Sequence, residues 1–438
     1  MNGCYVVRET KIELRVGGEL KPVRKIIIGY HYPEDNIVYP SPLTDFIHKY
    51  YFQYSYSLSN QRQPAITVTQ FLNYLTEMIP ESINFHPLYY RGVFGLTLEH
   101  GTMFLNDLTE TKGITQKTFS GKVSHLTAFY DYLNENSLLD NKITITKDNS
   151  KGKNKPILTP PFKDVQCPLV DNKTGKKKKD FITTANKDRV QLVREFIMTA
   201  FIVDPGLALG VAFLFFAGLR MGEVVNMQGS SVVPQNGSLY GESGMVLEIR
   251  DNQEELFGHL QTSTNIDVKK PRDQVVLMDP LIPWLYKKHL LYLERLSNKR
   301  KIDEKALFVG LKSGKAVDGI GFWRRFNNIK KIYLNSLAET PGRLQDYVDF
   351  AETKWSSHIG RGAFTNLVVE AGFTAEQTAV ARGDSDLSSA LEYTDQMTAL
   401  HNISAAIDTL SRKDFNGNLI DIPELNKTWR EVVHFGKV

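Results

Sequence analysis

The chain has only two cysteines among its 438 residues, Cys4 and Cys167, and they lie far apart. Two such residues form neither a disulfide framework nor a zinc-ligand pair, which is the pattern expected in a reducing compartment. The sequence also lacks a cluster of histidine, cysteine and carboxylate residues at metal-ligand spacing, and it lacks a glycine-rich phosphate-binding loop. We therefore predict that the protein uses no metal ion and no cofactor.

Long apolar runs are absent as well. The most apolar stretch, residues 207–219, is about thirteen residues long, whereas roughly twenty are needed to cross a bilayer. The first five residues lack the charged start and apolar run of a secretory signal. We expect a soluble cytoplasmic protein with no membrane partner.

A strong charge of one sign is also missing, because the formal net charge is only +4. An acidic partner such as nucleic acid must therefore be inferred from where basic residues cluster. One cluster lies between residues 151 and 179, where nine lysines face two acidic residues and are interspersed with prolines. This composition predicts an extended linker over residues 149–184 that lies near a polyanion.

Before this linker, the chain divides into two patterns. Residues 1–40 alternate apolar and polar positions and contain a Gly17-Gly18 turn, which predicts a small β-containing element. Residues 41–148 repeat apolar positions at intervals of three and four, which predicts a helical domain. The polar positions of its last helix, residues 115–133, carry Lys117, Lys122 and His125, and a solvated face is the plain alternative to a DNA-binding one.

After the linker, residues 185–395 form a larger predicted domain. Residues 207–227 are apolar on all sides, which is typical of a central core helix. Alternating strands follow, and residues 265–268 and 274–277 predict a hairpin with Lys269 and Lys270 at its tip. The predicted fold class is mainly α with small β elements (α+β), in which the larger domain carries a small antiparallel sheet.

Four separated side chains form a set suited to phosphate chemistry. His358 and Arg361 lie three residues apart, so one helical face carries both. Arg220 stands where the apolar segment meets polar sequence, and Tyr393 follows far downstream. Taken singly, each has a structural explanation, such as an ion pair between Arg220 and Glu223. Together they provide guanidinium groups for phosphate oxygens, a base and a nucleophile.

The order and spacing of these residues resemble the tyrosine recombinase (phage integrase) family over roughly residues 40–400. That family has an arginine in a Gly-Leu-Arg-x-x-Glu segment, a lysine on a β-hairpin, His-x-x-Arg at a helix start, a Gly-His or Gly-Trp step, and a tyrosine about nine residues later. Four of the five elements match. The corresponding residues here are Gly218-Leu219-Arg220-Met221-Gly222-Glu223, Lys269 or Lys270, His358-Ile359-Gly360-Arg361, Gly383-Asp384 and Tyr393.

The resemblance implies a site-specific DNA recombinase that integrates or excises a mobile element. Arg220 and Arg361 would hold the scissile phosphate, His358 would act as base, and Lys269 or Lys270 as general acid. Tyr393 would form a 3′-phosphotyrosine intermediate without ATP or metal. The chain would act as a homo-tetramer on two double-stranded DNA sites. Accessory proteins that bend DNA or set the direction of recombination are further expected partners.

The resemblance also gives each segment a role. The helical domain at 41–148 would be a core DNA-binding domain, and residues 185–395 would be the catalytic domain. Residues 1–40 would serve as an arm-type DNA-binding module. Residues 396–438 would either dock on a neighbouring protomer or pack on their own domain.

One position departs from the family pattern. Asp384 stands where the family has a histidine or tryptophan that donates a hydrogen bond to the phosphate, whereas a carboxylate accepts hydrogen bonds and is anionic. Asp384 either turns away, hydrogen-bonds a neighbouring site residue, or marks a site that a partner completes. Arg382 is a candidate for the missing donor.

Two other classes of function remain open. A type IB topoisomerase-like enzyme or a telomere-resolving enzyme would use the same tyrosine and arginines on DNA. A non-catalytic DNA-binding regulator would use residues 373–394 as a helix-turn-helix.

Overall fold

The fold was determined as a computed structural model, and it describes residues 3–16, 18–34, 36–54, 57–148, 156–168, 178, 180–181, 189–235, 244–260, 266–277 and 279–384. The predicted class, mainly α with small antiparallel sheets, is confirmed. None of the helices in these ranges is both long and apolar enough to span a bilayer.

The chain divides into two compact units, residues 1–174 and 175–438. Each unit has its own hydrophobic core. The boundary lies inside the lysine-rich segment at 149–184.

A three-stranded antiparallel sheet, in the order β1-β2-β3, begins the first unit. Strands β1 (Cys4–Val16) and β2 (Glu19–Tyr32) pair along their whole length, and β3 (Ile37–Pro40) pairs with the end of β2. Because strand side chains alternate between faces, Ile26 and Ile28 point the same way, and both are fully buried in the core of the unit. The sheet is therefore part of the first unit's core.

Helices make up the rest of this core. Helix α5 begins after Thr115, whose side chain accepts a hydrogen bond from the backbone N–H of Thr118 and so caps the helix. The buried faces of these helices meet through aromatic side chains such as Phe71, Phe104 and Phe129. The helices are α1 (Thr44–Ile47, continued by a π-turn at His48–Phe52), α2 (Leu58–Glu81), α3 (Pro87–Arg91), α4 (Leu98–Glu110) and α5 (Gln116–Glu135).

Residues 156–168 of the predicted linker are packed within the first unit. Phe162 contacts Tyr130 edge to face at 5.6 Å, and it lies where a Cβ on Gly101 of α4 would approach within 2.6 Å. Asn106 Oδ1 accepts a hydrogen bond from the Gln166 N–H at 2.8 Å. A short ladder, β4 (Lys147–Asp148) with β5 (Ile157–Leu158), leads into this segment. This part of the linker therefore packs along helix α4.

The second unit surrounds the apolar helix α7. Eleven of the twelve residues of α7 are buried, and helices α6, α10 and α13 pack around it. A three-stranded antiparallel sheet, β6-β7-β8, lies in the same unit. Its elements are α6 (Arg189–Val203), α7 (Pro205–Phe216), α8 (Met221–Val225), β6 (Val232–Gln235), β7 (Gly244–Ile249), α9 (Gln253–Phe257), β8 (Arg272–Val275), α10 (Leu281–Ser297), α11 (Gly319–Glu339), α12 (Leu344–Ala351), α13 (His358–Glu370) and α14 (Ala375–Arg382).

The apolar segment at 207–227 is not a single helix, contrary to the sequence-based expectation. It breaks between α7 and α8 at Gly218, which has a φ of +62°, in the left-handed region that glycine adopts without strain. A Cβ on Gly218 would lie 2.6 Å from the ring of Phe364 in α13. The break therefore allows close approach to α13 and places Arg220 at the start of α8.

The predicted hairpin of residues 265–268 with 274–277 is also wrong. Strand β8 pairs instead with β7, with Ile249 opposite Arg272. Residues 266–268 are not in a strand, and the Ile266 carbonyl accepts a hydrogen bond from the Asn226 side chain at 2.6 Å instead of from a neighbouring strand. Lys269 and Lys270 consequently lie in the turn that leads into β8.

Deletion of residues 1–40 should prevent the first unit from folding. The deletion removes Ile26 and Ile28 from the core, and it removes Glu9, which pairs with Arg62 of α2 at 2.7 Å. We expect an aggregated chain by size-exclusion chromatography, whereas Leu20→Ser at an exposed position should leave the chain folded. A truncated chain that unfolds cooperatively would instead support an independent arm-type module.

Candidate active site

Arg220 is fixed by Glu223, one turn later. The Arg220 N–H donates to Glu223 Oε2 at 2.8 Å, and Arg220 Nη1 donates to Oε1 at 3.1 Å. The predicted ion pair is therefore present, and it also caps the first turn of α8. The side chain of Glu223 is fully buried, whereas that of Arg220 is 25% exposed. Arg220 thus keeps accessible surface for a ligand, while Glu223 holds its backbone N–H and one nitrogen of its guanidinium group.

Arg361 lies in the first turn of α13 and is almost completely enclosed, with 1% of the residue exposed. It donates to the Gly218 carbonyl at 2.6 Å, to the Arg382 carbonyl at 2.8 Å and to Asp384 Oδ1 at 2.5 Å. One guanidinium group therefore joins the α7–α8 break, helix α13 and the end of α14.

Asp384 follows α14, which ends at Gly383 in the left-handed conformation. Its Oδ1 contacts both Arg361 and Arg220, the latter at 3.3 Å, and its Oδ2 lies 3.1 Å from Arg382 Nε. Of the three alternatives for Asp384, the structure shows the one in which it hydrogen-bonds its neighbours. Arg382 is 1% exposed and directs its charge at this carboxylate.

The crowding of cations lowers the pKa of Arg361. Burial is the main cause, repulsion from Arg220 and Arg382 adds to it, and attraction to Asp384 and Glu223 opposes it, so the pKa of Arg361 is about 10. A group with this pKa remains charged at neutral pH. The site therefore keeps a full positive charge on Arg361 in an enclosed position.

His358 is the first residue of α13 and retains exposed surface. The pKa of His358 lies below its ordinary value, first because protein atoms displace water from around the ring. Repulsion from Arg220, Arg361, Lys269 and Arg382 adds to this effect. The imidazole is therefore neutral at physiological pH and able to accept a proton.

The two candidate lysines differ in their surroundings, although both are exposed. Lys269 is near enough to His358 to contribute to its lowered pKa, and Lys270 makes no such contribution. The Lys270 carbonyl accepts a hydrogen bond from Arg272 at 3.2 Å. The structure therefore brings Lys269 into the electrostatic neighbourhood of His358.

Arg272, in β8, is a site residue that sequence reasoning missed. Its Nη1 and Nη2 donate to Glu223 Oε1 and Oε2 at 2.8 and 3.2 Å. The two residues are 49 positions apart, so no periodic pattern in the sequence indicates the pair.

Tyr393 and residues 396–438 lie outside the described residues. In the ranges that the structure describes, no group of three histidine, cysteine or carboxylate residues is arranged to hold a metal ion.

The fold of this chain is similar to solved structures of DNA recombinases. No protein-family model and no curated protein sequence matches the chain. The XerH site-specific recombinase bound to a palindromic difH substrate, in a post-cleavage complex, is similar with a TM-score of 0.50, 14% sequence identity and 80% of each chain covered. The Tn1549 transposon integrase in complex with transposon right end DNA has a TM-score of 0.45 at 14% identity, over 77% of this chain and 99% of that chain. The XerH comparison shows a shared fold.

Substitution Glu223→Gln should lower the free energy of unfolding by about 3 kcal/mol near neutral pH, because it leaves two arginines without their buried counter-ion. Burial acts to raise the pKa of Glu223, but Arg272 and Arg220 outweigh it and hold the pKa below its ordinary value. The stabilisation is therefore complete above the unfolded-state pKa of about 4.3 and is lost as the pH falls through the lower folded-state pKa.

Urea unfolding near neutral pH and again at about pH 3 tests this linkage, because the difference between the two proteins should shrink at the acidic value. Glu248→Gln is the matched control, since that side chain is 47% exposed on β7. An equal loss at both pH values would contradict the assignment of the effect to the ionised carboxylate.

Proposed function

We propose that this chain, whose fold is that of the tyrosine recombinases, is a site-specific DNA recombinase that integrates or excises a mobile element. The observation that carries the proposal is the convergence of Arg220, His358, Arg361 and Lys269 from three separate parts of the sequence. These are the residues whose spacing resembles the family pattern. The fold and the arrangement of charges support the same function.

The two arginines suit a phosphodiester. Attack on a phosphodiester builds negative charge on its non-bridging oxygens, and a guanidinium group binds such oxygens while remaining charged. Arg220, with its exposed surface, would contact one oxygen directly, and Arg361 would supply a fixed positive charge behind it. A preorganised direct donor such as Arg220 contributes about 3–4 kcal/mol to a transition state.

The remaining steps are two proton transfers and a nucleophilic attack. The Tyr393 oxygen would attack phosphorus and form the 3′-phosphotyrosine bond while the bond to the 5′-oxygen breaks. Neutral His358 would accept the phenolic proton. Lys269, which we favour over Lys270 because of its proximity to His358, would protonate the leaving 5′-oxygen. Reversal by a 5′-hydroxyl of a second strand needs no ATP.

Asp384 fits this scheme as a counter-ion. A carboxylate beside the phosphate would weaken binding, yet Asp384 already uses both oxygens on Arg220, Arg361 and Arg382. We assign it the role of holding the arginines apart and aligned. In the resembled family a histidine or tryptophan at this position donates a hydrogen bond to the phosphate. In the proposed scheme Asp384 donates none.

A cavity in the first unit supports DNA binding there. It has a volume of about 700 Å³, and Lys117, Lys122 and His125 of α5 line it together with Tyr51 and Tyr54. Lysines contribute salt-sensitive phosphate contacts.

The partners that we propose are double-stranded DNA and three further copies of the chain, with accessory proteins that set the direction of recombination.

A denaturant-resistant adduct is the experimental test of this function. The protein is incubated with sheared DNA from its host, non-covalent complexes are removed with detergent, and the attached DNA is sequenced. We expect adducts at one short site from the wild-type chain and none from Tyr393→Phe. Tyr89→Phe is the matched control, because it removes a hydroxyl group from a tyrosine that is 73% exposed in the first unit.

The same substrate separates the alternatives. Two differently labelled duplexes that exchange strands indicate recombination, whereas religation of the same strand alone indicates a topoisomerase-like enzyme. Salt-sensitive DNA binding with no adduct from any variant would contradict the proposal and favour a regulator.

A further inference from the structure

Arg272 has a guanidinium group whose hydrogen bonds are all directed into the protein. Two of them form a fork on Glu223, at 2.8 and 3.2 Å, and Nε donates to Gln274 Oε1 at 2.9 Å. The side chain is only 10% exposed. A planar fork of this kind fixes the carboxylate in orientation as well as in charge, which lysine cannot reproduce.

Glu223 in turn determines where Arg220 lies. It is fully buried and holds Arg220 through both the backbone N–H and the side chain. A buried carboxylate needs compensating charge, and Arg220 alone is a weak anchor because a quarter of its side chain is exposed. The orientation of Glu223, and with it that of Arg220, therefore depends on Arg272.

The main chain around Asp384 also lies against Arg272. A Cβ on Gly383 would be 2.3 Å from Arg272 Cδ, so the glycine leaves the space that this side chain occupies. Gln274, which accepts from Arg272, donates to the Ala381 carbonyl at 2.7 Å and ties β8 to the end of α14. Arg272 is thus in contact with both parts of the chain that hold Arg220.

We infer that Arg272 is a positioning residue for Arg220, the arginine proposed to contact the phosphate, because Arg272 holds Glu223 in the orientation that aligns Arg220. Its role is not direct contact with the phosphate, because its side chain is only 10% exposed and donates hydrogen bonds to Glu223, Gln274 and the Lys270 carbonyl. The inference rests on the proposed function and adds a residue to it that has no counterpart in the sequence pattern of the resemblance.

The test compares Arg272→Gln and Arg272→Lys with the wild-type chain on the DNA site that the adduct assay recovers. Arg324→Gln is the matched control, because it removes the same charge from an exposed side chain on α11. We expect the single-turnover cleavage rate of Arg272→Gln to fall about 10- to 100-fold, less than the 10²- to 10³-fold for a lost direct donor. The DNA affinity of Arg272→Gln and the cleavage rate of Arg324→Gln should each differ from wild type by less than about twofold.

A substrate with sulfur in place of the bridging 5′-oxygen shows which part of the site is disturbed. Its thiolate leaves without needing a proton, so the defect of Lys269→Ala should be relieved, whereas that of Arg272→Gln should persist. Arg272→Gln combined with Glu223→Gln should be little slower than either single variant, since both act on the same contact.

Four outcomes would overturn the assignment. The first is a wild-type cleavage rate in Arg272→Gln, the second is full relief of its defect on the sulfur substrate, and the third is an additive effect with Glu223→Gln. The fourth applies if Arg272→Gln fails to fold. It is a wild-type cleavage rate in a folded Arg272→Lys, which keeps the charge but lacks the fork. A wild-type chain that forms no adduct on any DNA would instead refute the proposed function, and this result is distinguishable because it precedes any comparison of variants.

Discussion

The enclosed guanidinium group of Arg361 is the interaction on which the candidate site depends. Its three hydrogen bonds, to Gly218, Arg382 and Asp384, join the break after α7 to the end of α14 across the first turn of α13. A buried cation is unfavourable unless it is fully paired, so this arrangement forces the three segments together. The close packing of α7 against α13 makes it possible, because a Cβ on Gly360 of α13 would lie only 2.7 Å from Leu214 Cβ of α7 and glycine has none.

The electrostatics of the site follow from charge compensation. Arg272 and Arg382 add two buried or nearly buried cations, and Glu223 and Asp384 provide the anions that neutralise them. Arg220 and Arg361 are then left with net positive charge, which adds to the effect of burial in lowering the pKa of His358 and keeping its ring neutral. In the scheme proposed above, Asp384 stands where the resembled family has a histidine or tryptophan donor. Arg272 and Arg382 compensate for the added negative charge, so the site still attracts a phosphate.

Part of the candidate site could be predicted from local sequence, because local contacts follow from spacing. The pairing of Arg220 with Glu223 requires residues only three positions apart. The break at Gly218 was missed because an apolar run gives no sign of a left-handed residue, and the partners of Arg272 and Asp384 lie too far away in sequence to be inferred. The hairpin at Lys269 was mispaired because alternation identifies a strand without identifying its neighbour. The role of Tyr393 stays a prediction, since it lies outside the described residues.

In the proposed function, this cluster of charges serves a covalent reaction at Tyr393. Mass spectrometry of the nuclease-trimmed and protease-digested DNA adduct tests this proposal, because it locates the residue that carries the nucleotide. We expect a nucleotide joined through its 3′-phosphate to Tyr393. A nucleotide on any other residue, or linkage through a 5′-phosphate, would contradict the proposal.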